Sequence, residues 1–117
     1  MPDWDRIILA HSKWKRELSR ALENEEKLDA DKIGKDSLCE LGTWIYAEGA
    51  AFGNLPAYVD LKQKHARFHA VVAKIVHLAK ALPRDKVREL IDPLNSDFGR
   101  ATAECINAIE VLKTSVH

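Results

Sequence analysis

Apolar residues recur along this chain at intervals of three and four. The first set runs Trp4, Ile7, Ile8, His11, Trp14, Leu18, Ala21 and Leu22, the stripe of one amphipathic helix with His11 on its buried side. Residues 24–35 are charged, contain Gly34 and offer only Leu28 and Ile33 for burial, so they read as a surface connection. The charges from Glu23 to Lys27 read as a solvated helix end. Ser37 and Glu40 have the spacing of a capping box, and a second helix is expected to start there with Cys39 in its first turn. It is expected to be short, because Gly49, Gly53, Asn54 and Pro56 crowd the stretch after Trp44. Pro56 suits the opening of a third helix whose seam is Tyr58, Leu61, His65, Phe68, Val72, Ile75, Ala79 and Leu82. Leu82-Pro83 closes it, and the pattern resumes at Val87, Ile91, Leu94, Phe98, Ala101, Cys105, Ala108 and Leu112. Pro93 falls inside that last stretch, yet the period continues in phase across it, so a kink is expected, with two shorter helices as the alternative. No strand alternation or repeat competes. The fold class is all-α, an antiparallel four-helix bundle with a short second helix, in one domain spanning residues 1–117.

A chain of 117 residues can bury a sufficient core without disulfide or metal staples. Its 18 basic residues balance 18 acidic ones, which leaves no basic field for nucleic acid or anionic lipid. Charges interrupt every apolar run short of the roughly 20 residues a membrane span needs. The opening Met-Pro-Asp-Trp-Asp has neither the basic nor the apolar block of a signal peptide, so a cytoplasmic location and reduced thiols are expected.

Candidate chemistry centres on four residues. His65 and His69 are four apart on one helix, which places two imidazoles on one face within reach of one ion. Spacing alone favours the plainer reading of two partly buried histidines bonded to backbone or carboxylates. His11 lies on the first seam, and seams of different helices converge in a bundle. Cys39, near unpaired amides at a helix start, is favoured as thiolate. Three imidazoles and one thiolate form a closed tetrahedral set suited to zinc (Zn2+), with no position left for a water nucleophile, so hydrolase chemistry is discounted and no enzyme is expected. Asp36, Glu40 and Glu48 are the carboxylates nearest in sequence that could offset the charge. Cys105, with no neighbouring His or Cys on its seam, reads as core filler, and His77 and His117 as solvated. Trp14 and Trp44 read as packing around the centre.

The string Cys39-Glu-Leu-Gly-Thr-Trp44, with His11 upstream and His65-Ala-Arg-Phe-His69 downstream, resembles the chemoreceptor zinc-binding (CZB) domain family across essentially the whole chain. The resemblance implies a zinc ion held by His11, Cys39, His65 and His69 in a four-helix bundle. It also implies regulation of a bacterial chemoreceptor or diguanylate cyclase, a homodimeric setting, and a Cys39 sensitive to zinc supply and to oxidation by hypochlorous acid. No methyl-accepting coiled coil or cyclase domain follows His117 in this sequence, so either a stand-alone member or an excised fragment is expected. Two other functions fit an all-helical chain: a metal-free interaction bundle, and a hemerythrin-like di-iron protein, although di-iron sites need several seam carboxylates and these seams carry none.

Overall fold

The computed structural model describes residues 3–23, 33–35 and 39–115. Among them the secondary structure is all helical, without strands: α1 (Trp4–Ser12), α2 (Trp14–Glu23), α3 (Glu40–Tyr46), a 3-10 segment (Glu48–Phe52), α4 (Pro56–Ala79), α5 (Arg84–Ile91) and α6 (Asp97–Ser115). No helix among the described residues is long and apolar enough to cross a membrane.

Asp3 caps α1 by accepting the Arg6 N–H at 3.1 Å. The first apolar stripe is one helix in pattern and two in fact, with a turn residue at Lys13 between them. The break is slight, because the Glu17 N–H still donates to the Lys13 carbonyl at 3.1 Å. The Ser37 cap and the 24–32 connection lie outside the described residues. Cys39 stands one place earlier than expected: it is the N-cap of α3 rather than a first-turn residue, with extended backbone (φ −85°, ψ 167°).

Pro56 opens α4, where a missing N–H costs nothing, and the helix runs 24 residues. It packs chiefly on α6, which also takes α1 against it, while α2 and α4 both meet α5. Tyr58 donates its hydroxyl to the Ile45 carbonyl at 2.6 Å and so ties α4 to the end of α3. Leu61, Phe68, Val72, Phe98, Ile109 and Leu112 are among the side chains that fill one continuous core.

The C-terminal stripe differs from the expected kinked helix. Helix α5 stops at Ile91, a turn spans residues 92–96, and α6 begins at Asp97. Pro93 has no N–H to continue the ladder, and Ser96 supplies a new start, its Oγ accepting the Gly99 N–H at 3.0 Å. The turn folds so tightly over α6 that a Cβ on Gly99 would lie 2.5 Å from the Leu94 carbonyl oxygen. The break ejects Leu94 from the stripe and leaves it 87 % exposed.

Gly99→Ala is therefore expected to destabilise the protein by about 1–3 kcal/mol through overpacking, and Ser96→Ala by about 1 kcal/mol through loss of the cap. Urea unfolding followed by circular dichroism measures both. An unchanged midpoint for Gly99→Ala would contradict the tight turn.

Candidate metal centre

Two helices and one helix start bring the candidate ligands together. His11 ends α1, Cys39 precedes α3, and His65 and His69 lie one turn apart on the buried face of α4. One donor atom from each of these four residues falls within 4.8 Å of all the others. His11, His65 and His69 are the buried polar residues among those described, at 4 %, 0 % and 4 % exposure.

Backbone carbonyls fix two of the three tautomers. His11 donates Nδ1–H to the Ile7 carbonyl at 2.9 Å, the bond a helical histidine makes to the preceding turn. His69 donates Nδ1–H to the Ile33 carbonyl at 2.8 Å, which pins the described piece of the 24–35 connection against the site. Because a carbonyl can only accept, both rings carry their proton on Nδ1 and present a bare Nε2 lone pair. His65 Nε2 lies 3.1 Å from His69 Nε2 and 3.2 Å from Cys39 Sγ. The Gly42 N–H donates to Cys39 Sγ at 3.3 Å, which favours negative charge on the sulfur.

Hydrogen bonds alone do not satisfy this group. His11 Nε2 and His65 Nδ1 are buried without a partner. A proton on His65 Nε2 could serve the sulfur or His69 but not His11, and it would leave Nδ1 of its own ring as an unpaired acceptor. One cation among the four donors answers His11 and His69 together. Zinc bonds of about 2.0–2.1 Å to nitrogen and about 2.3 Å to sulfur imply tetrahedral edges of about 3.3–3.6 Å. The two short edges here, 3.1 and 3.2 Å, need a small expansion to reach them, and the wider separations, all within 4.8 Å, a contraction. The residues present therefore fit a zinc ion.

Burial disfavours the protonated form of two of the imidazoles, His65 and His11. His65 is lowered to about 3, first by burial and then by the neighbouring His69 and His11. His11 is also lowered, mainly by burial, against the opposing bond to Ile7 and with His69 adding to the shift. Aromatic rings close the space: Phe68 meets His11 at 5.4 Å and His69 at 5.5 Å between centroids, and Trp14 meets His69 at 6.4 Å. Trp44 packs against Trp4 and Phe52 instead.

Among the described residues, backbone carbonyls orient the rings of His11 and His69. Asp36 and the Glu40 side chain lie outside the described residues, and Glu48 is exposed. The i−4 bond of His11 was foreseeable from helix geometry, whereas the Ile33 contact crosses 36 positions and leaves no local signal. His77 is exposed, and His117 lies outside the described residues.

The arrangement defines a helical metal-binding domain with a three-histidine, one-cysteine donor group. A family model described as the chemoreceptor zinc-binding domain matches residues 11–76, from the first candidate ligand to beyond the last. That is more than half of the sequence, and the chain belongs to this family. Comparisons with curated proteins and with solved structures return no match.

The histidine burial has a measurable consequence for the zinc-free chain. An unfolded histidine takes up its proton near pH 6.5, whereas folded His65 resists it down to about 3. Below 6.5 the unfolded state binds more protons, so stability is complete above that pH and is lost as pH falls towards 3. The slope is about 1.4 kcal/mol per pH unit for one such group. Thermal melts of chelator-treated protein at pH 7.5, 6.0 and 5.0 are expected to show a falling Tm, and a flat series would contradict the buried neutral imidazoles.

Proposed function

We propose that this chain is a single zinc-binding regulatory domain, with His11, Cys39, His65 and His69 as ligands, in which occupancy of the site and the oxidation state of Cys39 set how the helices pack. The observation that carries the proposal is the convergence of four donor atoms within 4.8 Å, with the buried Nε2 of His11 unpartnered among them. A bound zinc ion supplies one positive centre that accepts all four electron pairs.

The ligands are unequally anchored. His65 and His69 share a 24-residue helix whose buried side chains run from Tyr58 to Val76. His11 and Cys39 belong to a nine-residue and the start of a seven-residue helix. The core built by α4 and α6 needs no metal, so release of the ion loosens α1 and the start of α3 and leaves the bundle folded. Oxidation of the Cys39 sulfur to a sulfenic acid removes a strong thiolate ligand and drives the same movement. Hypochlorous acid is the oxidant that the family likeness suggests, and a chemoreceptor or diguanylate cyclase in the bacterial cytoplasm is the output, with a homodimer as the working form. Four protein donors fill a tetrahedral site and leave no place for an activated water, which supports a sensor over an enzyme. Thiolate and imidazole donors likewise favour zinc over a carboxylate-bridged di-iron centre.

Metal analysis by mass spectrometry is expected to give one zinc per chain. His65→Ala is expected to weaken zinc retention by more than the roughly 10–100-fold that loss of an outer hydrogen-bond partner costs, while the exposed His77→Ala leaves it unchanged. Equal zinc content in the two variants would defeat the ligand assignment. Graded hypochlorous acid is expected to release zinc in proportion to the modification of Cys39.

A further inference from the structure

The buried imidazoles are tied to the rest of the protein in three different ways. His11 gives its Nδ1 proton to the Ile7 carbonyl in its own helix. His65 Nδ1 has no partner. His69 reaches outside its own element: its Nδ1 proton goes to the Ile33 carbonyl, 36 positions earlier in the chain, at 2.8 Å. Ile33 is itself held twice, since its half-buried side chain packs against the hydrophobic core while its carbonyl meets the imidazole. Gly34 then turns the chain, and Lys35 beyond it is exposed. Residues 33–35 thus lead directly from a donor ring to the surface.

The two nitrogens of an imidazole are electronically coupled. When a cation takes the Nε2 lone pair the ring becomes electron-poor, and its Nδ1–H becomes a stronger donor, closer to the charge-assisted class. For His11 that gain stays within one turn of α1. For His65 it falls on an atom with no acceptor. At His69 it strengthens a bond between two separate stretches of chain.

We infer that Ile33 is a positioning residue for His69, and that occupancy of the metal centre tightens the hold of residues 33–35 on α4. The inference rests on the zinc reading proposed above and adds another responsive element to α1 and the start of α3. It has a thermodynamic converse. If zinc strengthens this contact, forming the contact must raise zinc affinity by the same factor, because the two equilibria close one cycle. An outer partner of a ligating histidine changes metal affinity by about 10–100-fold, and the same range applies to docking of the segment. A carbonyl cannot be removed by substitution, but the apolar side chain that aims it can.

The test compares the full chain stripped with chelator and the same chain loaded with zinc. Brief trypsin treatment with mass-spectrometric mapping follows the cut after Lys35, with the cut after Lys80, exposed at the C-cap of α4, as internal reference. Zinc is expected to slow the first cut severalfold relative to the second. Zinc affinity is then measured by competition with a chromogenic chelator in wild type, Ile33→Val and Ile33→Ser, each checked for helicity. Ile33→Val keeps a branched apolar anchor and should bind zinc as wild type does, whereas Ile33→Ser should bind it about 10–100-fold more weakly. In 15N-resolved spectra of the zinc-loaded protein, the His69 Nδ1–H should exchange slowly with water in wild type and fast in Ile33→Ser, with the His11 Nδ1–H unchanged. A general loss of packing would not separate the two rings. If zinc binds at one per chain but slows both cuts equally or neither, or if Ile33→Ser binds zinc as tightly as wild type, the inference is overturned and the zinc reading stands. If no zinc binds, both are overturned.

Discussion

A lone pair buried without a proton or a cation to meet it is costly, and this protein brings several of them to one point. The carbonyls of Ile7 and Ile33 each claim the Nδ1 proton of a histidine and so strip the opposite nitrogen of His11 and His69. Each buried polar group left unpaired costs about 1–3 kcal/mol. That cost is offset elsewhere, by the apolar contact of α4 with α6 through residues such as Phe68, Phe98 and Ile109. The fold thus divides its labour. Apolar burial holds the bundle, and the polar pocket within it remains unsatisfied until a cation arrives.

The division extends to the helices. Isolated helices shorter than about 12–15 residues are marginal in water, so α1, with nine residues, and α3, with seven, depend on packing for their position. Helix α4, at 24 residues, is long and buried along most of its length. On the reading proposed here, a site with two candidate ligands on α4 and two on short elements comes apart on one side. Each short element also has an independent hold: α1 through the Asp5–Lys113 ion pair and α3 through Tyr58 to Ile45. The Tyr58 bond is buried, whereas the exposed ion pair contributes little.

Periodicity exposed most of this fold because its helices are amphipathic and its seams nearly continuous. The same continuity concealed the break after Ile91. Apolar residues stay in phase across Pro93, and only the pair Ser96 and Gly99, a cap and a close-packing position, marks the restart. The His65/His69 pair was legible because both residues share one helix. Joining them to His11 and Cys39 required either family likeness or three dimensions, since no local pattern states which seams face one another. The least legible contact was that of Ile33, a backbone oxygen, which any residue type could supply. Cys105, read from the sequence as core filler, is indeed a buried member of the core cluster.

Charge makes the sulfur decisive. On the proposed ligand set, three neutral imidazoles and one thiolate would reduce a divalent ion to a single net positive charge, in a pocket walled by Phe68 and Trp14. The Ile7 and Ile33 carbonyls, reached through the rings of His11 and His69, spread part of that charge to the backbone. On the reading proposed here, oxidation of Cys39 does more than subtract one of four ligands. It removes the one anionic donor, and the ion would then have to keep its full double charge in an apolar enclosure, which burial strongly disfavours. Loss of a neutral imidazole, by contrast, leaves that balance unchanged. The cysteine is therefore the donor through which a small chemical change carries the largest electrostatic consequence, and its place at the mouth of a short helix is where such a change can be turned into motion.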